Sequence, residues 1–284
     1  MKKNQIQNTN MKYSTGADKS KYDARTFSYL PTTANHKGGA RYAPKFIDNQ
    51  HRVGICTSIS LTQNAHNATG VEYSPDFQYL IQKKYIDGNW TEGSSAFSAC
   101  KAAHKYGMVK YKDFKNFIDE DDRKLTYRKY IKKLQAISDE DIEKLLENAV
   151  KIEGYAKTPI NRNILANAIN NNESGLLTRF VIGNEWYRKP YEPLLPAKNP
   201  ISGHLVNLTN YVGNSFRIAN SWGTDWADKG TAYFMLQDNT PTEAYAVFYK
   251  KIPKEVNKKE TLNKVIKISQ IMKLIDLLKR LGLI

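Results

Sequence analysis

Apolar residues recur at helical spacing in the first half of the chain. Small and apolar residues over 56–68 follow a glycine and predict a loop that enters a buried helix. Ser74 and the pair Ser94/Ser95 each precede another apolar-periodic segment, in the position of a helix cap, so we expect helices after both. A further helix is predicted at 138–150, where acidic residues fill the first turn.

Beyond residue 150 the pattern changes. A short helix is predicted at 161–170, and β-branched and aromatic runs separated by turn residues then predict strands. The runs lie at 176–182, 204–212, 215–221, 231–237 and 244–252. The order predicts an α+β protein with a helical lobe at about 50–150 and an antiparallel sheet or barrel lobe at 151–252. A cleft between two such lobes is the expected place for a site.

Positive charge is concentrated at the two ends of the chain. The net charge is +15, and residues 250–280 hold ten Lys or Arg against three acids, while residues 1–22 hold five Lys against one acid. The centre is therefore nearly balanced. The chain has no zinc-ligand spacing, Walker loop or RNA-recognition motif, so we expect no specific binding of nucleic acid.

The two basic ends and the nearly balanced centre divide the chain into three segments. We predict a basic extended arm at 1–22, a globular domain at 23–252 and a basic amphipathic helix at 253–284, where apolar residues recur three and four apart. The wide apolar face of residues 258–284, with lysines between, favours contact with a protein partner or a second copy over a membrane surface.

Other features limit the class of protein. No run approaches 18 apolar residues, and the arm has no apolar stretch after its lysines, so neither a membrane span nor a signal peptide is expected. Two cysteines, Cys56 and Cys100, cannot form a disulfide framework. We expect a protein of a reducing compartment, cytoplasmic or associated with a virion.

A thiol, an imidazole and an amide stand out as possible acyl-transfer chemistry. Cys56 lies at the predicted junction of a loop and a helix, where the helix N-terminus and a protonated imidazole lower a thiol pKa. The amide oxygen of Asn220 can orient the ring of His204. The Gln50 amide and the Cys56 backbone N–H can donate to an oxyanion.

These residues and their surroundings resemble the papain-like cysteine peptidases. The family carries a Gln six residues before the nucleophilic Cys, a Gly-His or Asp-His pair, and an Asn-Ser-Trp-Gly block. Here these are Gln50 before Cys56, Gly203 before His204, and residues 220–223. The resemblance covers about 22–252, and the Gly-Ile-Cys-Thr sequence around the cysteine is similar to the bacterial and phage-type branch.

The resemblance implies a two-lobe fold and a peptidase without a cofactor or metal. Cys56 would attack the peptide carbonyl, His204 would move the proton, Asn220 would orient His204, and Gln50 would bind the oxyanion. It further implies that a tryptophan covers the His–Asn hydrogen bond and that neighbouring residues bind the substrate. These substrate-binding candidates are Gly93, Ser94, Gly203 and Trp222.

Two other functions remain open. Ile55 replaces the usual residue before the nucleophile, and a papain-like fold can serve as a silent structural or binding part of an assembly such as a phage virion. A cell-wall amidase shares the Cys-then-His order but does not fit the Gln50 spacing. Only residues 1–22 precede the family-like segment, so no helical inhibitory prodomain is expected.

Overall fold

The computed structural model describes residues 14–20, 46–172, 174–187 and 193–250. The chain divides into two units, Met1–Tyr249 and Lys250–Ile284. All the helices and strands given below belong to the first unit. The amphipathic helix predicted at 253–284 lies outside the described residues, as do residues 1–13 of the predicted arm.

Helices occupy most of the chain between the first cysteine and residue 146. They are α1 Cys56–Thr69, α2 Pro75–Ile81, α3 Ala96–Lys105, α4 Tyr111–Phe114, α5 Tyr127–Gln135 and α6 Asp139–Leu146, with α7 Arg162–Asn171 further along. Shorter helical turns lie at Gln82–Asp87, Glu120–Lys124 and Asn184–Trp186. The predicted cap at Ser74 is confirmed, because its side chain accepts the Phe77 N–H. Of the predicted pair Ser94 and Ser95, it is Ser95 that caps α3, and its side chain accepts the Ser98 N–H.

The strands follow the predicted runs closely. They are β1 Ala17–Asp18, β2 Ser94–Ser95, β3 Gly154–Lys157, β4 Leu176–Ile182, β5 Ser202–Val212, β6 Ser215–Ala219, β7 Thr231–Met235 and β8 Glu243–Phe248. The last six form one antiparallel sheet in the order β3-β8-β4-β5-β6-β7. The α+β class with a helical and a β lobe is confirmed. The sequence did not suggest β3, which is short and is held by pairing with β8.

Helix α1 is the element that joins the two lobes. Its first ten residues, Cys56–Ala65, are all buried, although six of them are polar. Ser60 Oγ donates to Leu205 O of β5 at 2.8 Å, Asn207 Nδ2 donates back to Ser60 O at 2.8 Å, and Asn64 Nδ2 donates to Asn207 Oδ1 at 3.2 Å. A buried polar network with these bonds fixes one register of helix against strand.

A buried ionic cluster fixes the loop before α1. The Arg123 side chain is almost fully buried; its Nη2 lies 2.7 Å from Asp76 Oδ2 and its Nη1 lies 2.6 Å from Asp48 Oδ1. Arg123 also donates to Asn49 O at 3.0 Å, and Tyr130 donates its hydroxyl to Asp76 at 2.8 Å. The guanidinium therefore ties residues 48–49 to the helical lobe.

In the described part of the chain, no helix combines the length and apolar character that a membrane crossing needs.

The ionic cluster predicts a large effect on stability. Arg123→Met leaves the Asp76 carboxylate buried without its cation, which should lower the free energy of unfolding by about 3–5 kcal/mol. Urea unfolding followed by circular dichroism measures the change. Lys144→Ala, which breaks the exposed pair with Glu140, should cost less than about 0.5 kcal/mol. Equal small losses in both variants would contradict the assigned role of the cluster.

Candidate active site

Cys56 is the first residue of α1 and is fully buried. The backbone N–H groups of Gly16 and Leu205 act to lower the pKa of its thiol. The helix N-terminus directs unpaired N–H groups and a partial positive charge towards the sulfur. The predicted junction of loop and helix therefore places Cys56 where a thiolate would be stabilised.

His204 and Asn220 meet directly across neighbouring strands. His204 Nε2 lies 2.7 Å from Asn220 Oδ1, and the same oxygen accepts the Ser221 backbone N–H at 2.8 Å. Because the backbone donor identifies this atom as the oxygen, His204 must donate its proton from Nε2. His204 Nδ1 is buried and makes no hydrogen bond within the described chain, which leaves it as the basic nitrogen.

Trp222 covers this pair. Its ring stacks on the His204 ring with the centroids 4.7 Å apart and the planes 26° apart, and Trp186 meets the imidazole edge-on. Both tryptophans are fully buried. The indole therefore shields the His204–Asn220 hydrogen bond from water, as the resemblance implied.

Gln50 is fully buried and held by the loop after β6. Ser221 Oγ donates to Gln50 Oε1 at 2.6 Å, and the Gln50 backbone N–H donates to Ser221 O at 2.8 Å. This fixes the amide so that its Nε2 donates to Ser14 O at 2.7 Å. The same Nε2 also donates to Val53 O at 3.2 Å, so both N–H groups of the Gln50 amide are directed at backbone carbonyl oxygens.

The candidate substrate-binding residues lie along the same cleft. Ser94 belongs to β2, and the preceding Gly93 has φ +90°, a conformation that favours glycine. Buried Lys83 donates to Gly93 O at 2.8 Å, and the Tyr79 hydroxyl accepts the Gly93 N–H at 3.1 Å. On the opposite lobe, a side chain on Gly203 would collide with a backbone carbonyl in the cleft.

That carbonyl belongs to part of the predicted arm, residues 14–20, which we call the strap. The strap contains β1, which lies parallel to β2, and Ser94 donates its N–H to Gly16 O at 2.8 Å. The Ala17 side chain is buried in an apolar cluster that includes Cys56. The arm was predicted to be extended, but nothing in its sequence indicated that it crosses the cleft.

The start of the strap lies against the catalytic candidates. Ser14 O accepts hydrogen bonds from Gln50 Nε2 at 2.7 Å and from Trp222 Nε1 at 3.1 Å. Ser14 N donates to His51 O at 3.1 Å. The Gln50 amide, which was predicted to bind the oxyanion, is therefore engaged by the chain itself.

The rest of the strap contacts two residues, Arg179 and Glu243, that sequence analysis did not predict to be part of the site. Arg179 Nε donates to Ala17 O at 2.9 Å, and Glu243 accepts the Ser20 N–H at 3.0 Å and the Ser20 hydroxyl at 2.9 Å. Arg179 and Glu243 face each other across β4 and β8. For Arg179, the sequence signal was a single charged residue inside the mostly apolar run predicted as a strand at 176–182. Nothing in the sequence marked Glu243 as part of the site.

Burial decides the charge state of the site. It raises the pKa of the Cys56 thiol to about 11, against the lowering effects of backbone N–H groups and of Arg179. It also lowers the pKa of His204 to about 4, although the Asn220 hydrogen bond acts in the opposite sense. The expected lowering of the thiol pKa is therefore wrong for this arrangement, because the cleft is filled and Cys56 makes no hydrogen bond to His204.

Within the described ranges, no group of three or more His, Cys, Asp or Glu side chains is arranged to hold a metal ion. Cys100, the second thiol, is fully buried in α3 and has no polar partner among the residues that the structure describes, and burial raises its pKa.

The fold is that of the papain-like cysteine proteases. It is similar to xylellain, a cysteine protease from Xylella fastidiosa, with a TM-score of 0.67 and 22% identity over 84% of this chain and 97% of that chain. It is also similar to digestive procathepsin L 3 of Tenebrio molitor larval midgut, with a TM-score of 0.54 and 17% identity over 79% of this chain and 74% of that chain. A cysteine protease of Carica candamarcensis gives a TM-score of 0.52 and 17% identity over 74% and 95% of the two chains. Comparison of the sequence with protein-family models and with curated proteins finds no match.

The thiol pKa predicts slow alkylation of the full chain. With a pKa of about 11, only about one thiol in ten thousand is ionised at pH 7, and the iodoacetamide rate at Cys56 should rise about tenfold per pH unit between about pH 6 and 9. Peptide mass spectrometry measures both cysteines in one sample. Cys100 should react more slowly at each pH. A Cys56 rate that is constant from about pH 5 to 8 would show that the thiolate is already formed.

Proposed function

We propose that the protein is a cysteine endopeptidase that hydrolyses polypeptides through an acyl-enzyme on Cys56. The observation that carries the proposal is the His204–Asn220 pair, which leaves a basic Nδ1 in the cleft beside the helix that bears the thiol. The papain-like fold and the buried Gln50 amide support the same chemistry.

Each of the proposed catalytic groups has its own role in the reaction. His204 Nδ1 takes the thiol proton, and Cys56 Sγ forms a bond to the substrate carbonyl carbon. Gln50 Nε2 and the Cys56 N–H stabilise the oxyanion, and His204 then gives the proton to the leaving amine. Water attacks the thioester, with His204 as base, and the acid product leaves. Asn220 keeps the imidazole in the required tautomer throughout.

The cleft is suited to an extended main chain. The Ser94 N–H and the Arg179 guanidinium each bind a backbone carbonyl on opposite sides of the strap. Gly203 leaves room for the chain to pass over β5. These contacts depend on backbone atoms, so we propose a polypeptide substrate, with Gly93 and Ser94 forming one wall.

Two features bear on the biological setting. The Gly-Ile-Cys-Thr sequence at 54–57 and the likeness to a bacterial protease favour a bacterial or phage enzyme. The alternation of leucines and lysines in 258–284 favours a protein contact outside the peptidase domain.

A silent papain-like component of an assembly is the second candidate. The high thiol pKa and the filled cleft favour it, since neither is expected of a site ready to react. The complete set of catalytic groups favours the peptidase.

Matched variants test the proposal with unfolded casein as substrate. Cys56→Ser should abolish hydrolysis, His204→Ala should lower kcat by about 10²–10⁴-fold, and Gln50→Ala by about 10²–10³-fold because one oxyanion donor is lost. The controls Cys100→Ser, His104→Ala and Gln135→Ala change the same residue types, the first buried away from the site and the other two exposed; each should retain the parent rate.

The two candidates give different results. A chain that cleaves no casein and whose Cys56 is alkylated as slowly as Cys100 would favour the silent component, whereas casein hydrolysis that Cys56→Ser abolishes would favour the peptidase.

A further inference from the structure

We propose that a cavity beside the middle of α1, which we call the α1 cavity, binds an alkylammonium group, the protonated amine of a free diamine or of a lysine side chain. Its volume is about 230 Å³, which suits a small group. Its lining residues fall within 46–123, so none belongs to the strap. Thr62 is the α1 residue of the lining nearest to Cys56, and six residues of helix, about 9 Å, separate the two. The inference is therefore independent of the proposed peptidase function.

A carboxylate oxygen in the wall of the α1 cavity lacks a hydrogen-bond partner. Asp48 is only 6% exposed, and its Oδ1 accepts the Arg123 Nη1 donor at 2.6 Å and the Asn49 N–H at 2.7 Å. Its Oδ2 accepts no hydrogen bond in the described part of the chain, and Asp48 lines the cavity. Because burying a charged oxygen without a donor costs free energy, a donor that enters the cavity is stabilised there.

The other polar groups of the α1 cavity also favour a donor over an acceptor. Arg123 directs its Nε and Nη2 to Asp76 and its Nη1 to Asp48, so its guanidinium is engaged by groups of the protein. Thr62 donates its hydroxyl to Ser58 O at 3.0 Å, which leaves the oxygen free to accept. An ammonium group has three donors and no acceptor, and therefore matches this set of atoms.

Two exposed carboxylates give the α1 cavity a negative charge. Glu72 and Glu120 both line it. Glu72 makes no ion pair within the described residues, and Glu120 Oε1 lies 3.0 Å from His51 Nε2. The charge of Arg123 is matched by the two carboxylates of its own cluster, so the cavity wall does not repel a cation. In a chain with a net charge of +15, this is a local region that attracts cations.

Aromatic rings in the lining favour an organic cation over a metal ion. Phe46 and Tyr111 line the α1 cavity, and the Phe46 ring stacks on the His66 ring with the centroids 6.1 Å apart and the planes 17° apart. Ring faces attract ammonium groups and pack against the alkyl chains that carry them. In the part of the chain that the structure describes, no three His, Cys, Asp or Glu side chains are placed to hold a metal ion. An alkylammonium group has both the charge and the apolar stem that this lining fits.

Gln63 connects the α1 cavity to the interior of the domain. It lines the cavity, its Nε2 donates to Asn220 O at 3.3 Å, and its Oε1 accepts the Asn207 Nδ2 donor at 3.3 Å. Gln63 is only 3% exposed, so these bonds hold its side chain in place. The cavity wall is therefore formed by a side chain that the native fold alone positions, and a ligand bound there should stabilise the folded state.

The test measures amine binding to the full chain by isothermal titration at pH 7 and low salt. The probe is n-butylammonium, with n-butanol and butyrate as neutral and anionic ligands of the same length. We expect saturable binding of one n-butylammonium per chain with a dissociation constant of about 1 mM or lower. The two controls should not bind at the same concentrations, and added salt should weaken amine binding because it screens the exposed carboxylates.

Two further ligands distinguish the sources of the amine. 1,4-Diaminobutane represents a free diamine, and N-acetyl-lysine methylamide represents a lysine side chain of a polypeptide. Tighter binding of the first identifies a free diamine as the ligand, and tighter binding of the second identifies a lysine side chain. Either order supports an alkylammonium site.

Matched double variants locate the bound amine. Changing Glu72→Gln together with Glu120→Gln removes both exposed carboxylates of the α1 cavity and should weaken n-butylammonium binding about fivefold to tenfold. Changing Glu143→Gln together with Glu147→Gln makes the same chemical change at exposed positions of the α6 region. This control should keep the parent affinity.

Interior variants test the unpaired oxygen. Asp48→Asn should weaken binding about tenfold or more, because the charge that faces the ammonium group is lost. The same change weakens the contact with Arg123, so circular dichroism must show that the variant is folded. Thr62→Val leaves that cluster intact, removes one acceptor from the cavity and should weaken binding about twofold to tenfold.

The results separate a built site from general attraction of cations. Saturable amine binding that the Glu72 and Glu120 changes and Thr62→Val weaken, and that the α6 control leaves unchanged, supports the proposal. No saturable binding of n-butylammonium by the parent chain overturns it. Equal affinity in the cavity variants and the α6 control also overturns it, because the amine would then bind elsewhere. Binding of n-butanol or butyrate as tight as that of n-butylammonium overturns the assignment to a cation.

Discussion

The packing of α1 against β5 is the constraint on which the site depends. The helix supplies Cys56 and the strand supplies His204, and neither lobe holds both. Ser60, Asn64 and Asn207 form the buried network that fixes the register of the two elements. A shift by one residue would leave these polar groups unsatisfied at a cost of kilocalories each, so one alignment of thiol and imidazole is strongly preferred.

One short segment after β6 then organises the remaining groups. Asn220 fixes the tautomer of His204, and the next two residues respectively orient the Gln50 amide and cover the imidazole. The Arg123 cluster holds the other end of the Gln50 loop. Three consecutive side chains therefore have three different roles in the site, because the backbone of this anchored turn points each of them in a different direction.

The strap connects the structure of the cleft with its charge state. Filling the cleft removes water from Cys56 and His204, and desolvation favours the neutral form of both. Burial therefore disfavours charge separation between the thiol and the imidazole in this arrangement.

Local sequence determined much of this protein. Periodicity and caps such as Ser74 and Ser138 specified helix starts, and β-branched runs specified strands, because these signals act between near neighbours. The resemblance carried by Gln50, Cys56, His204 and Asn220 implied the chemistry. Tertiary structure alone decided that β3 joins the sheet, that Ser221 holds Gln50, that Arg179 and Glu243 line the cleft and that residues 14–20 lie in it. Each of these is a contact between residues far apart in the chain, and the free energy of such a contact depends on packing that no local pattern encodes.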